Sequence, residues 1–187
     1  MDTFRAQRET LKSAATTLKR AEIPFALAGG YAAWARGGPE STHDVDFVVQ
    51  PDDSAAALAA LAAAGHDLVD APEDWLAKVR RDGVTVDVIH RLPMGDVDER
   101  LLSRTDDVSV DSVKMPVLSA TDLLLSRLLA LTDHSCDLST PLAWSRSFRE
   151  QVDWDTVERV VGDNPFGQAF LGLVGALGIR GGGDGER

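Results

Sequence analysis

Two aspartates, two residues apart, interrupt an otherwise apolar segment of the chain. Asp44 and Asp46 lie within residues 43–49, where the alternation of polar and apolar residues predicts a β-strand. Alternate residues of a strand share one face, so both carboxylates point the same way while the apolar side chains are buried on the other face. Aspartate is a poor strand former, and like charges on one face repel unless a cation lies between them. The segment therefore predicts a strand that carries a charged site.

A third candidate acidic residue, Asp87, lies in a second apolar segment. Residues 76–81 and 84–90 flank Asp82-Gly83, and a two-residue Asp-Gly turn between alternating segments indicates a β-hairpin. If the strand of Asp87 neighbours the first strand, three carboxylates converge. Oxygen ligands suit Mg²⁺, with Mn²⁺ as an alternative, and two such ions ~3.5–4 Å apart can clamp a phosphate during in-line attack. The alternative is an exposed sheet face with solvated carboxylates.

A glycine pair supplies a complementary feature. Gly29-Gly30 follows a short apolar strand predicted over residues 25–28 and precedes a helix predicted over residues 31–36. Glycine lets the backbone approach a phosphate closely, and a helix N-terminus offers free N–H groups. Alone, the pair is typical of any strand-to-helix turn. Together with the three aspartates it indicates a phosphate-binding turn beside a metal site.

The other segments predict an α/β (α+β) fold: a mixed β-sheet flanked by helices, followed by a C-terminal helical annex. The chain divides into an α/β core over residues 1–118, a helical bundle over 119–180 and a disordered glycine-rich tail over 181–187. Within the core the pattern predicts further helices over 4–21 and 54–64, and further strands over 67–70, 108–110 and 113–117.

Charge and cysteine content exclude several classes of protein. The net charge of −11 argues against sequence-independent coating of nucleic acid, which needs a broad basic surface. The single cysteine, Cys136, excludes an internal disulfide framework and a zinc site built from several cysteines. No transmembrane or export segment is predicted, so we expect a cytoplasmic protein without a membrane partner.

The order Gly29-Gly30, Asp44-Val45-Asp46, Asp87 resembles the DNA polymerase β-type nucleotidyltransferase superfamily. The chain is most similar to the small bacterial nucleotidyltransferases of the AbiEii and MenT toxin type. This resemblance implies metal-dependent transfer of NMP from an NTP, such as ATP, to an acceptor hydroxyl. It further implies the 3′ end of tRNA as acceptor, and a toxin paired with a cognate antitoxin. Three alternatives remain open: protein AMPylation, modification of a small molecule such as an aminoglycoside, and a catalytically inactive nucleotide-binding module.

The resemblance also implies roles for the acidic residues and the glycine turn. Asp44 and Asp46 would hold the nucleotide-bound metal, and together with Asp87 they would hold a second metal ion. Asp87 could also act as general base. The turn of Gly29, Gly30 and the Tyr31 N–H would cradle the β- and γ-phosphates, with Thr42 beside them.

Basic residues complete the implied site. Arg127, together with Arg146 or Arg149, would neutralise the leaving pyrophosphate, although Arg127 could instead reach from its leucine-rich helix to the surface. The family often has Arg-x-Thr before the first aspartate, where this chain has Glu40, and more often has lysine at the position of Arg127. Basic residues that could line a tRNA groove are Arg5, Arg8, Lys12, Lys19, Arg20, Lys78, Arg80 and Arg81.

Overall fold

The computed structural model describes residues 3–42 and 44–180, so the predicted tail over 181–187 lies outside the described residues. The helices are α1 Thr3–Arg20, α2 Gly29–Ala35, α3 Ser54–Ala63, α4 Glu99–Ser103, α5 Ala120–Leu129, α6 Ser139–Phe148, α7 Trp154–Val161 and α8 Pro165–Ala176. The strands are β1 Phe25–Ala28, β2 Val45–Val49, β3 Asp67–Val69, β4 Leu76–Arg81, β5 Val84–Ile89, β6 Arg91–Leu92, β7 Gly95–Asp96, β8 Asp106–Val110 and β9 Val113–Val117. Short 3₁₀ turns cover Pro51–Asp53 and Arg149–Gln151.

Seven of the strands form one mixed sheet in the order β3-β4-β5-β2-β1-β9-β8. The pairs β2–β5 and β1–β9 are parallel, and the other neighbours are antiparallel. The strands β6 and β7 pair separately. The predicted fold class is confirmed, and the strand that carries Asp87 is the direct neighbour of the strand that carries Asp46.

One face of the sheet is covered by α1 and α3, which also pack against each other. Apolar side chains that alternate along the central strands, such as Phe47, Val79 and Val86, are fully buried. The helix α1 turns an apolar stripe inward, which includes Leu11 and Leu18. Burial of these side chains fixes the register of the sheet, because a shift by one residue would turn them outward.

After β9 every named element of the described chain is helical, and α5 packs against α2, α6, α7 and α8. The buried apolar residues of the sheet region and of this helical annex belong to one continuous core. The change of character near residue 118 therefore marks a change in element type, and the two regions share a core. Within the described ranges, no helix is both long enough and apolar enough to cross a membrane.

Candidate functional site

The two central acidic residues occupy adjacent positions of the sheet. Asp46 on β2 lies directly opposite Asp87 on the parallel strand β5. Lys78 on β4 lies opposite Asp87 on the other side, and its Nζ is 3.2 and 3.3 Å from the two carboxylate oxygens. Asp44 was predicted within the strand, but it immediately precedes β2 and is exposed. Its charge still acts on both Asp46 and Asp87.

Burial and the charges of nearby carboxylates raise the pKa values of Asp46 and Asp87. Desolvation raises the pKa of Asp46 to about 7, with further increases from Asp87 and Asp44, while Arg127 and Lys78 act in the opposite direction. Desolvation likewise raises the pKa of Asp87, and the adjacent Lys78 ammonium opposes this increase. Asp87 thus has a positively charged partner in Lys78, whereas the nearby positive charges do not offset the burial of Asp46.

This donor set fits a hard divalent cation by its chemistry. The three carboxylates offer only oxygen ligands, which Mg²⁺ and Mn²⁺ accept, and a bound cation would supply the positive charge that Asp46 lacks. As the side chains stand, no three acidic, histidine or cysteine side chains of residues 3–42 and 44–180 form a group that could hold one ion. Lys78 meanwhile contacts both oxygens of Asp87.

The glycine turn brings the backbone directly against these side chains. The helix α2 begins at Gly29 itself, two residues earlier than predicted, and Gly29 has a φ of 57°. A Cβ atom at Gly29 would lie 1.8 Å from Oδ2 of Asp46, and one at Gly30 would lie 2.5 Å from Oγ of Ser41. Both glycines are therefore required for the close approach of the turn to Asp46 and Ser41.

A cavity of about 630 Å³ lies between this turn and the helical annex. Gly29, Gly30 and Asp46 line it from the sheet region, and Arg127 of α5 and Trp144 of α6 line it from the annex. The guanidinium carbon of Arg127 lies 5.9 Å from the centre of the Trp144 ring, which helps to hold it over the cavity. The cavity thus has a carboxylate and a glycine turn on one wall and a guanidinium group on the other.

The other predicted site residues differ in their position relative to the cavity. Tyr31 is buried in α2, and Thr42 is exposed beside the cavity-lining loop. Arg149 pairs with Glu150 at 2.8 Å and lines a separate cleft with Trp154. Arg146 on α6 does not line the cavity either, so of the three predicted arginines only Arg127 does.

The predicted basic groove divides between two faces of the sheet. Lys78 and Arg80 are at alternate positions of β4 and share the face of Asp87. Arg81 faces the opposite way and donates a hydrogen bond to Ser13 of α1, the helix that covers the other face. The basic residues of α1 therefore do not continue the surface of Lys78 and Arg80.

Two nearby residues were not assigned to the site from the sequence. Lys78 was assigned to the groove, although the two-residue turn fixes β4 and β5 in a register that places it opposite Asp87. Glu73 lies in the segment between β3 and β4, yet its charge reaches Asp87. No pattern in the sequence signals Glu73, because the segment has no periodicity.

A larger cleft of about 690 Å³, between α4, α5 and α7, contains none of the predicted site residues. Its central carboxylate, Asp122, accepts hydrogen bonds from Arg104 and from Ser119. This paired group holds α4 against α5, so the smaller cavity beside Asp46 remains the candidate active site.

A protein-family model described as uncharacterised nucleotidyltransferase matches residues 5–179 of the chain. The chain belongs to this family. The predicted resemblance to the nucleotidyltransferase superfamily is thereby confirmed, and the protein is a transferase that moves nucleotidyl groups. A search of curated proteins finds no match.

Solved structures of nucleotidyltransferases share the fold. The crystal structure of ANT(2″)-Ia in complex with adenylyl-2″-tobramycin superposes with a TM-score of 0.61 at 14% identity, over 89% of this chain and 98% of that chain. An antigenic nucleotidyltransferase-like protein from Paracoccidioides brasiliensis superposes with a TM-score of 0.56 at 17% identity, over 92% of this chain and 88% of that chain. The likeness to both extends over the sheet region and the helical annex.

Proposed function

We propose that this nucleotidyltransferase uses the cavity beside Asp46 to bind an NTP and transfers its NMP to an acceptor hydroxyl. The observation that carries the proposal is the position of Asp46 in the sheet. On one side it meets the turn of Gly29 and the cavity, and on the other it neighbours Asp87. Phosphoryl chemistry needs this combination of phosphate binding and clustered carboxylates.

Each residue has a defined task in this mechanism. The backbone at Gly29, Gly30 and Tyr31 binds the triphosphate, and Arg127 neutralises the negative charge of the departing pyrophosphate. Asp44, Asp46 and Asp87 would hold two Mg²⁺ or Mn²⁺ ions, which supply charge neutralisation and lower the pKa of the attacking hydroxyl. Asp87 accepts the proton of that hydroxyl.

The acceptor that we propose is the 3′ end of tRNA, with the chain acting as a toxin that a cognate antitoxin restrains. This proposal rests on the resemblance to the AbiEii and MenT toxins. It is also supported by Lys78 and Arg80, which share the face of Asp87 and are suited to contact the phosphates of an RNA end.

A hydroxyl of a small cationic molecule is the second candidate acceptor. The net charge of −11 disfavours RNA at long range and attracts a cation. The fold likeness to ANT(2″)-Ia, whose structure holds adenylyl-2″-tobramycin, covers nearly all of that enzyme. Tobramycin is therefore the appropriate probe for this class.

Labelled NTPs decide between the acceptors. Each NTP, labelled at its α-phosphate, is incubated with the protein, Mg²⁺ and either total tRNA, total protein or tobramycin. We expect labelled tRNA, and we expect Asp46→Asn to abolish the label because it removes the central carboxylate. Asp52→Asn, an exposed change in the 3₁₀ turn before α3, is the matched control and should retain full activity. Transfer that survives in Asp46→Asn would refute the assigned site.

A further inference from the structure

The cavity that we propose for the NTP has a negative charge on the wall formed by the segment after α2. Glu40 and Ser41 of this segment line the cavity together with Gly30 of the glycine turn. Among the described residues that line it, Arg127 has the only positively charged side chain, and Glu40 and Asp46 are the acidic residues. A triphosphate carries several negative charges, and like charges at short range repel. The wall at Glu40 should therefore disfavour an NTP unless its charge is compensated.

The guanidinium group of Arg8 compensates this charge from outside the cavity. Its Nη2 atom donates a hydrogen bond to Oε1 of Glu40 at 2.6 Å. Arg8 belongs to α1, so the contact joins the N-terminal helix to the cavity wall. Arg8 itself does not line the cavity. Its positive charge therefore acts on the cavity through Glu40.

Two aromatic side chains of α2 hold Arg8 in position. The guanidinium carbon of Arg8 lies 5.1 Å from the centre of the Trp34 ring, within the range of a cation–π contact. Trp34 in turn packs edge-to-face against Tyr31, with the ring centres 6.2 Å apart. Both aromatic residues belong to the helix that begins at the glycine turn. Arg8 therefore connects Glu40 to the helix whose N-terminus is proposed to bind the triphosphate.

The residue after Glu40 fixes the same wall against the glycine turn. A Cβ atom at Gly30 would lie 2.5 Å from Oγ of Ser41, and Ser41 is buried. The segment is thus held at two successive residues, by Ser41 at the turn and by the contact of Glu40 with Arg8. The carboxylate of Glu40 consequently stays beside the proposed triphosphate site, where its charge requires a partner.

We propose that Arg8 is a positioning residue for NTP binding, which neutralises Glu40 and so allows a triphosphate to lie against this wall of the cavity. The inference rests on the proposed function, because it takes the cavity beside Asp46 as the NTP site. Arg8 acts through Glu40 and makes no bond to the nucleotide. Removal of Arg8 should therefore weaken NTP binding only while Glu40 keeps its charge.

A double-mutant cycle on the full chain tests this dependence. The Kd of each of the four NTPs is measured by isothermal titration calorimetry with Mg²⁺ and without an acceptor. Arg8→Met keeps the aliphatic part of the side chain and should raise the Kd of the tightest-binding NTP about five- to tenfold, because one carboxylate near the phosphates loses its counterion. Glu40→Gln should bind this NTP at least as tightly as the unaltered protein. The double variant Arg8→Met/Glu40→Gln should regain the affinity of the unaltered protein.

Two controls separate this local effect from other causes. Arg5→Met removes an exposed arginine one turn earlier on α1, with the same change in net charge, and should leave the Kd for NTP unchanged. A rise in ionic strength from ~0.05 to ~0.5 M screens charges, so the ratio of Kd between Arg8→Met and the unaltered protein should decrease. Because the ion pair is partly exposed, all variants should remain folded, which thermal denaturation without NTP verifies.

The outcomes distinguish the role of Arg8 from the proposed function. An unchanged Kd in Arg8→Met, a loss that persists in the double variant, or an equal loss in Arg5→Met would overturn the role of Arg8 and leave the proposed function standing. An unaltered protein that binds none of the four NTPs would overturn the proposed function, and the role of Arg8 with it. A loss that is confined to Arg8→Met and reversed by Glu40→Gln would support the proposal.

Discussion

Asp46 is suited to bind a cation because its surroundings do not compensate its negative charge. Its carboxylate is pressed between the turn at Gly29 and the neighbouring Asp87, and burial raises its pKa to about 7. A carboxylate in this state gains most from a cation, since binding removes the cost of its ionisation. Burial of this carboxylate therefore lowers the free energy of unfolding of the free protein and increases the free energy gained when a cation binds.

His66 offers a second test of burial at the level of one residue, away from the candidate site. It is 2% exposed, and its Nε2 lies 3.3 Å from Oγ of Ser13. Burial lowers the pKa of His66 below 6.5, and the charge of Arg81 lowers it further. The neutral ring is thus favoured in the folded state, so the unfolded state binds more protons as the pH falls.

We therefore expect the free energy of unfolding to carry a contribution from His66 that is complete above pH 6.5. This contribution is lost as the pH falls through the lowered folded-state pKa. In His66→Gln, which stays neutral, the decrease between pH 7.5 and 5.5 should be smaller than in the unaltered protein. Urea unfolding at both pH values measures the difference, and contributions from other groups cancel in the comparison. Parallel decreases in the two proteins would contradict the assignment.

At the scale of single residues, much of the candidate site could be predicted from the sequence, but not all of it. The Asp-x-Asp spacing and the hairpin turn placed Asp46 and Asp87 on strands, and the structure adds that these two strands are neighbours with the two residues opposite each other. The turn also determined the pairing of Lys78 with Asp87, because a two-residue turn leaves one register. Glu73 could not be predicted, since its position depends on how an irregular segment folds back on β5.

At the scale of elements, Arg36 at the end of α2 joins four parts of the fold. Its side chain is 7% exposed and donates hydrogen bonds to the carbonyl oxygens of Val117 and Leu118, at 3.1 and 2.5 Å. It also contacts Gln151 at 3.2 Å and Asp106 at 2.8 Å. The guanidinium thus ties α2 to the end of β9, to β8 and to the 3₁₀ turn of the annex.

Replacing Arg36 should therefore weaken the whole assembly. Arg36→Met keeps the aliphatic length but removes the hydrogen bonds from the guanidinium to the carbonyl groups of Val117 and Leu118, which we expect to lower the free energy of unfolding by roughly 2–4 kcal/mol. Arg149→Met removes an exposed arginine that pairs with its neighbour Glu150 on the surface, and should cost less than about 0.5 kcal/mol. Guanidinium chloride unfolding of both variants makes the comparison. Equal losses would show that Arg36 is an ordinary surface residue.

The helices and strands were predicted correctly where the alternation of apolar and polar residues extended over enough residues to show its period. The amphipathic α1, the β4–β5 hairpin and the β8–β9 pair were all found at nearly their observed bounds. The two-residue strands β6 and β7 and the five-residue α4 were missed, because segments this short show no period. The start of α4 depends on one capping contact, the carboxylate of Asp98 with the N–H of Leu101.

At the scale of the whole molecule, the candidate site exists only where the sheet region meets the annex. The cavity takes Asp46 and the glycine turn from one and Arg127 and Trp144 from the other. A ligand in this cavity contacts both regions at once. Binding should therefore stabilise the entire folded chain.

We expect Mg²⁺ with a preferred NTP to raise Tm by roughly 5–10 °C at about 100 times Kd, from the linkage between binding and unfolding. Thermal denaturation with each of the four NTPs would rank them. Arg127→Ala should reduce the shift, since it removes the positive charge from the annex wall. Arg146→Ala, an exposed change on α6 outside the cavity, should leave it intact. An undiminished shift in Arg127→Ala would place the triphosphate elsewhere.

The ion pair between Lys78 and Asp87 affects how the chain folds before a ligand binds. A newly made chain must bury its acidic strands while no ion is bound, and the ammonium group of Lys78 lies against both oxygens of Asp87. This ammonium group is an internal counterion, so the strands can pair around Asp87 without a bound metal ion. A lysine side chain is long and flexible, so Lys78 would be able to move away from Asp87 if a divalent cation bound there, and its ammonium group would then be available to a phosphate group of a ligand.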